Sequence, residues 1–134
     1  MRSGPWRHSL WWLPIVAYMG AIFYVSSLPN PLPGLTQAAG DKTLHAIAYA
    51  LLALLCGRAI ADEGAGRRVT LLLAFVIAST YGATDEWHQW FVPGRGADVY
   101  DWGADSIGAA VGAIIHAATV PVWPVNRLST PAQS

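Results

Sequence analysis

The sequence predicts an all-α fold: a polytopic membrane protein, built as a bundle of about four transmembrane helices. The 134 residues are 54% hydrophobic and only 12% charged, about half the charged share of an ordinary soluble domain. The apolar residues fall into four runs, separated by short segments rich in proline, glycine or arginine. Seven tryptophans lie mostly near the ends of those runs, as interfacial aromatic belts do.

Each run has to supply about 20 residues to cross a hydrocarbon core of about 30 Å. Its backbone has to be helical, because lipid offers unpaired N–H and C=O groups no partner. The expected spans are residues 9–27, 43–61, 69–91 and 99–123 of one 134-residue domain, with a disordered tail at 124–134. The first is uncharged from Leu10 to Ser26, and Pro14 is a point of potential kinking. Arg2 and Arg7 before it and Val25-Ser26-Ser27 after it have the outline of a cleaved signal. The run is long and Pro29 follows closely, which favours a retained helix. The second and third spans carry polar ends, so those ends have to sit at the interface or inside the bundle. The fourth spans Trp102 to Trp123 with one acid, Asp105.

The connections have turn chemistry. Pro29, Pro31, Pro33, Gly34 and Gly40 predict an extended loop after the first span. Gly64 and Gly66 interrupt the second connection, and Pro93-Gly94 makes a tight turn in the third. No internal repeat is visible, and the single cysteine, Cys56, excludes an internal disulfide.

Charge assigns the sidedness. Arg2, Arg7, Arg58, Arg67, Arg68 and Arg127 fall in the termini and the second connection, against Lys42 and Arg95 in the other two. The positive-inside rule then puts both termini in the cytoplasm and the protein in the cytoplasmic (inner) membrane. Eight basic residues balance eight acidic ones, so no nucleic-acid partner is expected. The lipid bilayer is the expected surrounding partner.

That topology gathers Asp41, Lys42, His45, Asp85, Glu86, His88, Gln89, Arg95, Asp98, Asp101 and Asp105 at the outer ends of three helices. Six of the eight acids are among them. Intramembrane ionisable groups are costly and normally face the bundle interior. Asp41, His45 and Tyr49 recur every four residues and form one column. Tyr81, Asp85, His88 and Gln89 share a face of the third span, flanked by Glu86. Asp98, Asp101, Asp105, Gly108 and Gly112 form a stripe, acidic above and glycine-lined below, that suits close helix approach. At 1.5 Å per residue, Asp105 lies about 10 Å below Asp98. The sites expected from this placement are Asp41, His45, Asp85, Glu86, Gln89, Arg95 and Asp101 as reacting groups. Arg95, Lys42, Asp98, Asp105 and Tyr49 are the expected binding groups.

The combination is similar to the VanZ-like family. The residues that carry the resemblance are Asp41-Lys42-x-x-His45-x-x-x-Tyr49, then Tyr81-Gly82-x-x-Asp85-Glu86-x-x-Gln89-x-Phe91-x-Pro93-Gly94-Arg95, then Asp98-x-x-Asp101-x-x-x-Asp105-x-x-Gly108-x-x-x-Gly112. Ser26-Ser27-x-Pro29 adds to it, and the likeness covers roughly residues 10–115. It implies a link to glycopeptide (teicoplanin) resistance and does not itself imply a reaction. The resemblance leads one to expect Asn where this chain has Asp105, so a metal-ligand count cannot be carried over.

Bland readings stand beside each group. Asp41 and Lys42 suit an N-cap and an interfacial anchor, and His45 alone suits a packing role. Lys42 and Arg95 could be ion-pair partners that staple the last two spans. Three classes of function remain. The protein recognises or acts on a cell-envelope component such as a lipid-linked precursor or a glycopeptide. Alternatively it is a membrane-embedded hydrolase or transferase on a lipid-linked phosphate, with a carboxylate or His45 as base or nucleophile and Arg95 on the phosphate. The third class is a small ion-coupled permease, for which four spans are few unless it oligomerises. The carboxylates and histidines would also accept a divalent cation, although their spacing names no metal.

The topology has a direct check. A cytoplasmic reporter fused after Ser134 is expected to be active and a periplasmic one silent; the opposite result removes the sidedness.

Overall fold

The computed structural model describes residues 10–121. They form five helices and no strand: α1 (Trp12–Ser26), α2 (Pro33–Ala39), α3 (Asp41–Asp62), α4 (Arg67–Gln89) and α5 (Val99–Thr119). The expected tail at 124–134 lies outside the described residues, as do the outer edges of the first and last expected spans.

The boundaries follow local chemistry. Pro14 occupies the first turn of α1, where its missing N–H would have had no intrahelical partner, so it starts a helix and kinks nothing. The connection after α1 is not extended throughout: Pro33 at the first helical position opens the short α2, preceded by Leu32 with the positive φ of 50°. Gly40, at φ 83°, turns α2 directly into α3, so α3 begins two residues before the expected span. Gly64, at φ 89°, reverses the chain into α4. At the other end, α4 stops at Gln89 and the chain passes through Gly94 at φ 80°. Asp98 then caps α5 by accepting the Tyr100 N–H at 2.8 Å. Thr119 is the last helical residue because Val120 precedes Pro121 and is drawn into extended backbone.

Helix α3 is central. It packs most extensively on α5, then on α4, with α1 on its flank. Gly108 and Gly112 of α5 lie against the backbone carbonyls of Ala46 and Ala50 of α3, so close that a β-carbon at either glycine would overlap them. Two tyrosines fix α1: Tyr18 donates to the Ala48 carbonyl at 3.0 Å, and Tyr81 of α4 donates to the Met19 carbonyl at 2.6 Å. Helices α4 and α5 are tied by the Ser79–Ser106 hydroxyl pair and by Trp102 Nε1 donating to the Ser79 carbonyl at 3.0 Å.

The distribution of residue types is inverted relative to a water-soluble domain. The buried set is dominated by small residues, among them Ala53, Ala59, Ala74, Ala78, Ala109 and Ala113, together with acids and Gln89. The exposed set includes Val16, Ile47, Leu72, Val76, Ile107 and Ile114. Among the described residues, α3 is the one helix both long and apolar enough to cross a bilayer, and α1 is apolar but has 15 residues. Helices α4 and α5 have the length, 23 and 21 residues, but carry polar groups on their buried faces.

The α3–α5 contact yields a prediction. Gly108→Ala and Gly112→Ala should each destabilise by about 1–3 kcal/mol, because the obstructing atoms are backbone and the helices must part. Gly103→Ala, with nothing near its added carbon, should be neutral or slightly stabilising. Thermal unfolding in detergent separates them; equal melting of all three would remove the close crossing.

Candidate functional site

The glycine crossing brings the upper ends of α3 and α5 together, and three polar contacts follow from it. The ring of His45 donates from Nδ1 to Oδ1 of Asp105 at 2.7 Å, and Asp105 is completely buried. Lys42 reaches Oδ1 of Asp101 at 2.6 Å and Oδ2 of Asp98 at 3.3 Å. Asp41 lies 4.0 Å from His45 Nε2, one turn above it. Gly82 of α4 opposes Asp105 so closely that a methyl group there would strike its carboxyl, which is why α4 can approach at that level.

Glu86 completes this group from α4. One carboxylate oxygen, Oε2, accepts the Asp98 backbone N–H at 2.9 Å, which anchors the start of α5 to α4. The other, Oε1, is buried without a hydrogen-bond partner, as is Oδ2 of Asp105. The backbone N–H of Tyr100, with Lys42 alongside, holds the Asp98 carboxyl below its ordinary range.

The neighbouring acid of α4 goes elsewhere. Asp85 is a helical step of about 100° from Glu86 and faces a cleft of about 320 Å³ between α1, α2, α3 and α4. Its walls are apolar, with Ile22 and Val25 of α1, Leu44 and Ala48 of α3, and Leu32 before α2. Besides Tyr18 and Thr36, the polar groups that line it are Ser26, Asp41, His45, Tyr49, Asp85, Gln89 and Arg95. Gln89 donates to Asp85 Oδ2 at 3.3 Å. Ser26 Oγ, Tyr49 OH and Asp85 Oδ1 are buried without a hydrogen bond of good geometry.

The expected site residues therefore divide into two groups that meet at His45 and Asp41. Lys42, Glu86, Asp98, Asp101 and Asp105 gather between α3, α4 and α5, while Tyr49, Asp85, Gln89 and Arg95 line the cleft. The staple is half of what the sequence suggests: Lys42 ties α3 to α5, whereas no carboxylate among the described residues lies within ion-pair distance of Arg95. His88 turns away from Asp85's cleft, stacking on Phe23 at 4.2 Å and bonding Ser27 Oγ at 2.9 Å. Ser26 also lines the cleft, and its only signal in the sequence is its place beside Ser27-x-Pro29, where the first helix must end. His116, near the far end of α5, is buried with its ring against Gly57 and its Nε2 unpartnered.

Fold and site together define a small helical-bundle protein with a charged cluster and an apolar-walled cleft at one end. A family profile described as VanZ/LLP1 matches residues 7–120. The chain belongs to that family. No curated protein and no solved structure matches it.

The lowered Asp98 value fixes the sign of a pH effect. Ionised Asp98 stabilises the fold above its unfolded pKa of about 3.9, and the contribution is lost as pH falls through the lower folded value. The melting difference between the native chain and Asp98→Asn should be constant from about pH 7 to pH 5 and shrink below about pH 4. A difference that widens in acid contradicts the assignment.

Proposed function

We propose that this VanZ-family protein sits in the cytoplasmic membrane as a four-span bundle and recognises an amphiphilic cell-envelope component in the cleft beside α3. The observation that carries this reading is the pairing of apolar walls with buried polar atoms that lack partners. Ser26 Oγ is buried without a partner, and Tyr49 OH and the neighbouring Asp85 carboxylate do not meet in a hydrogen bond of good geometry; an unmade buried bond costs about 1–3 kcal/mol. A ligand with an acyl or prenyl portion against Ile22, Val25 and Leu44, and a hydroxylated or phosphorylated head near Arg95, answers both demands at once. The guanidinium is planar and suited to a phosphate or carboxylate through two parallel hydrogen bonds.

The membrane setting is supported by the exterior. Large aliphatic side chains outside and alanine, glycine and polar groups inside are unfavourable in water, where apolar exposure costs about 25 cal/mol per Å². The same arrangement costs nothing in lipid and leaves helix association to close packing of small residues. The arginine distribution supports a topology with both termini in the cytoplasm, in which the cluster and cleft open on the outer side. A lipid-linked wall precursor has the required chemistry, and occupancy of such a component is one route to a glycopeptide (teicoplanin) phenotype.

A second reading is supported by one contact. His45 lines the cleft while the buried Asp105 holds its ring, an arrangement that orients an imidazole to take a proton. A membrane-embedded hydrolase or transferase on a lipid-linked phosphate would use it.

Two variants separate charge from fork and cleft from surface. Arg95→Ala should abolish co-purification of anionic lipid-linked precursor, and Arg95→Lys should retain less than a tenth of it. Ala48→Phe, which fills an apolar wall, should reduce it to a similar extent while the protein accumulates normally in the membrane. Mass spectrometry of extracted lipids provides the readout. Full retention in Arg95→Lys removes the bidentate contact, and full retention in Ala48→Phe removes the cleft.

A further inference from the structure

The buried group between α3, α4 and α5 has a donor set that the proposed recognition function does not use. His45, Glu86 and Asp105 each place one ligand-capable atom within 4.8 Å of the others. Bonds of about 2.1 Å to a shared ion would separate adjacent donors by about 3 Å, so side-chain adjustments of an ångström or so close the set. Two of the carboxylates are already held in place: Glu86 by the Asp98 N–H on Oε2, and Asp105 by His45 on Oδ1 with Gly82 packed against its carboxyl.

Two facts point to an ion rather than to a self-contained hydrogen-bond network. Glu86 Oε1 and Asp105 Oδ2 are buried acceptors without a donor, on residues that are 5% and 0% exposed. The local charge is also unbalanced. Glu86, Asp101 and Asp105 are all buried between these helices, and Lys42 is committed to Asp98 and Asp101. His45 alone faces Asp105 and Glu86. A divalent cation supplies the missing positive charge and both missing bonds.

A second grouping, Asp41 with His45 and Asp101, has a comparable spread. It is the weaker host, because the Lys42 ammonium already sits 2.6 Å from Asp101 Oδ1 and Asp41 is exposed to solvent. A cation there would have to displace or repel Lys42.

We propose that His45, Glu86 and Asp105 hold a divalent transition-series cation, bound through one imidazole nitrogen and two carboxylate oxygens. The imidazole favours ions of the manganese and zinc class over magnesium or calcium, which prefer all-oxygen sites. Three protein donors leave positions for water or a ligand oxygen. His45 also lines the cleft, so the ion sits at the boundary between the two groups of site residues.

The test uses the full-length chain in detergent, stripped with chelator and titrated with Mn²⁺ alone. Saturable binding of one ion per chain is expected, followed by the loss of the free-ion electron paramagnetic resonance signal. Glu86→Gln and Asp105→Asn should each weaken it at least tenfold, and Asp41→Asn should leave it within twofold. Pulsed resonance on the native chain should show ¹⁴N coupling to the bound ion that disappears in His45→Gln, a readout that does not depend on the acidic variants folding. Absence of saturable binding up to millimolar Mn²⁺, absence of nitrogen coupling, or native-like binding by both acidic variants overturns the proposal. No envelope lipid or Arg95 variant enters the experiment, so its outcome is separate from that of the recognition reading.

Discussion

Everything at the charged end depends on how closely α3 and α5 cross. Gly108 and Gly112 let the α5 backbone rest on the carbonyls of Ala46 and Ala50. With β-carbons there the axes would separate, and His45 could no longer reach Asp105 at 2.7 Å. Lys42 would likewise lose its short contact with Asp101. A contact made of small residues thus sets the positions of the large polar ones, a division of labour suited to lipid, where apolar side chains gain little by hiding from one another.

The α4 helix adds a second constraint, because adjacent carboxylates cannot face the same way. Asp85 enters the cleft and Glu86 secures the start of α5. One helical turn therefore serves two compartments, and Gly82, a turn earlier, gives Asp105 the room it needs. The same economy appears in Asp98, whose side chain caps α5 and meets Lys42 while its backbone N–H satisfies Glu86.

Periodicity made much of this readable before any coordinates. The four-residue spacing of Asp41, His45 and Tyr49 puts all three on one side of α3, and all three line the cleft. The stripe from Asp101 through Gly112 is buried as one face of α5. The family resemblance, carried by the Asp85-Glu86 and Pro93-Gly94-Arg95 segments, agrees with the profile match over residues 7–120. What the spacing could not supply was the sorting of neighbours between partners. Asp85 and Glu86 look equivalent in sequence, and only the packing of α1 on one side and α5 on the other separates them. The proline-rich connection read as extended because proline count says nothing of position; Pro33 at a first helical position starts α2. Ser26 and His116 were hidden for a related reason, since burial at a helix end or against Gly57 depends on a distant element.

The cleft's place on the flank of the bundle has a consequence for how it would fill. Exposed Ile47 and Ala21 stand at its edge, so the mouth faces sideways, into whatever surrounds the helices. In a bilayer that surrounding is a two-dimensional solvent, in which an amphiphile is concentrated by partitioning at about 0.8 kcal/mol per buried CH₂. Occupancy would then track the ligand's mole fraction among lipids and not its concentration in water, and a component scarce in the cell as a whole could still keep the site full.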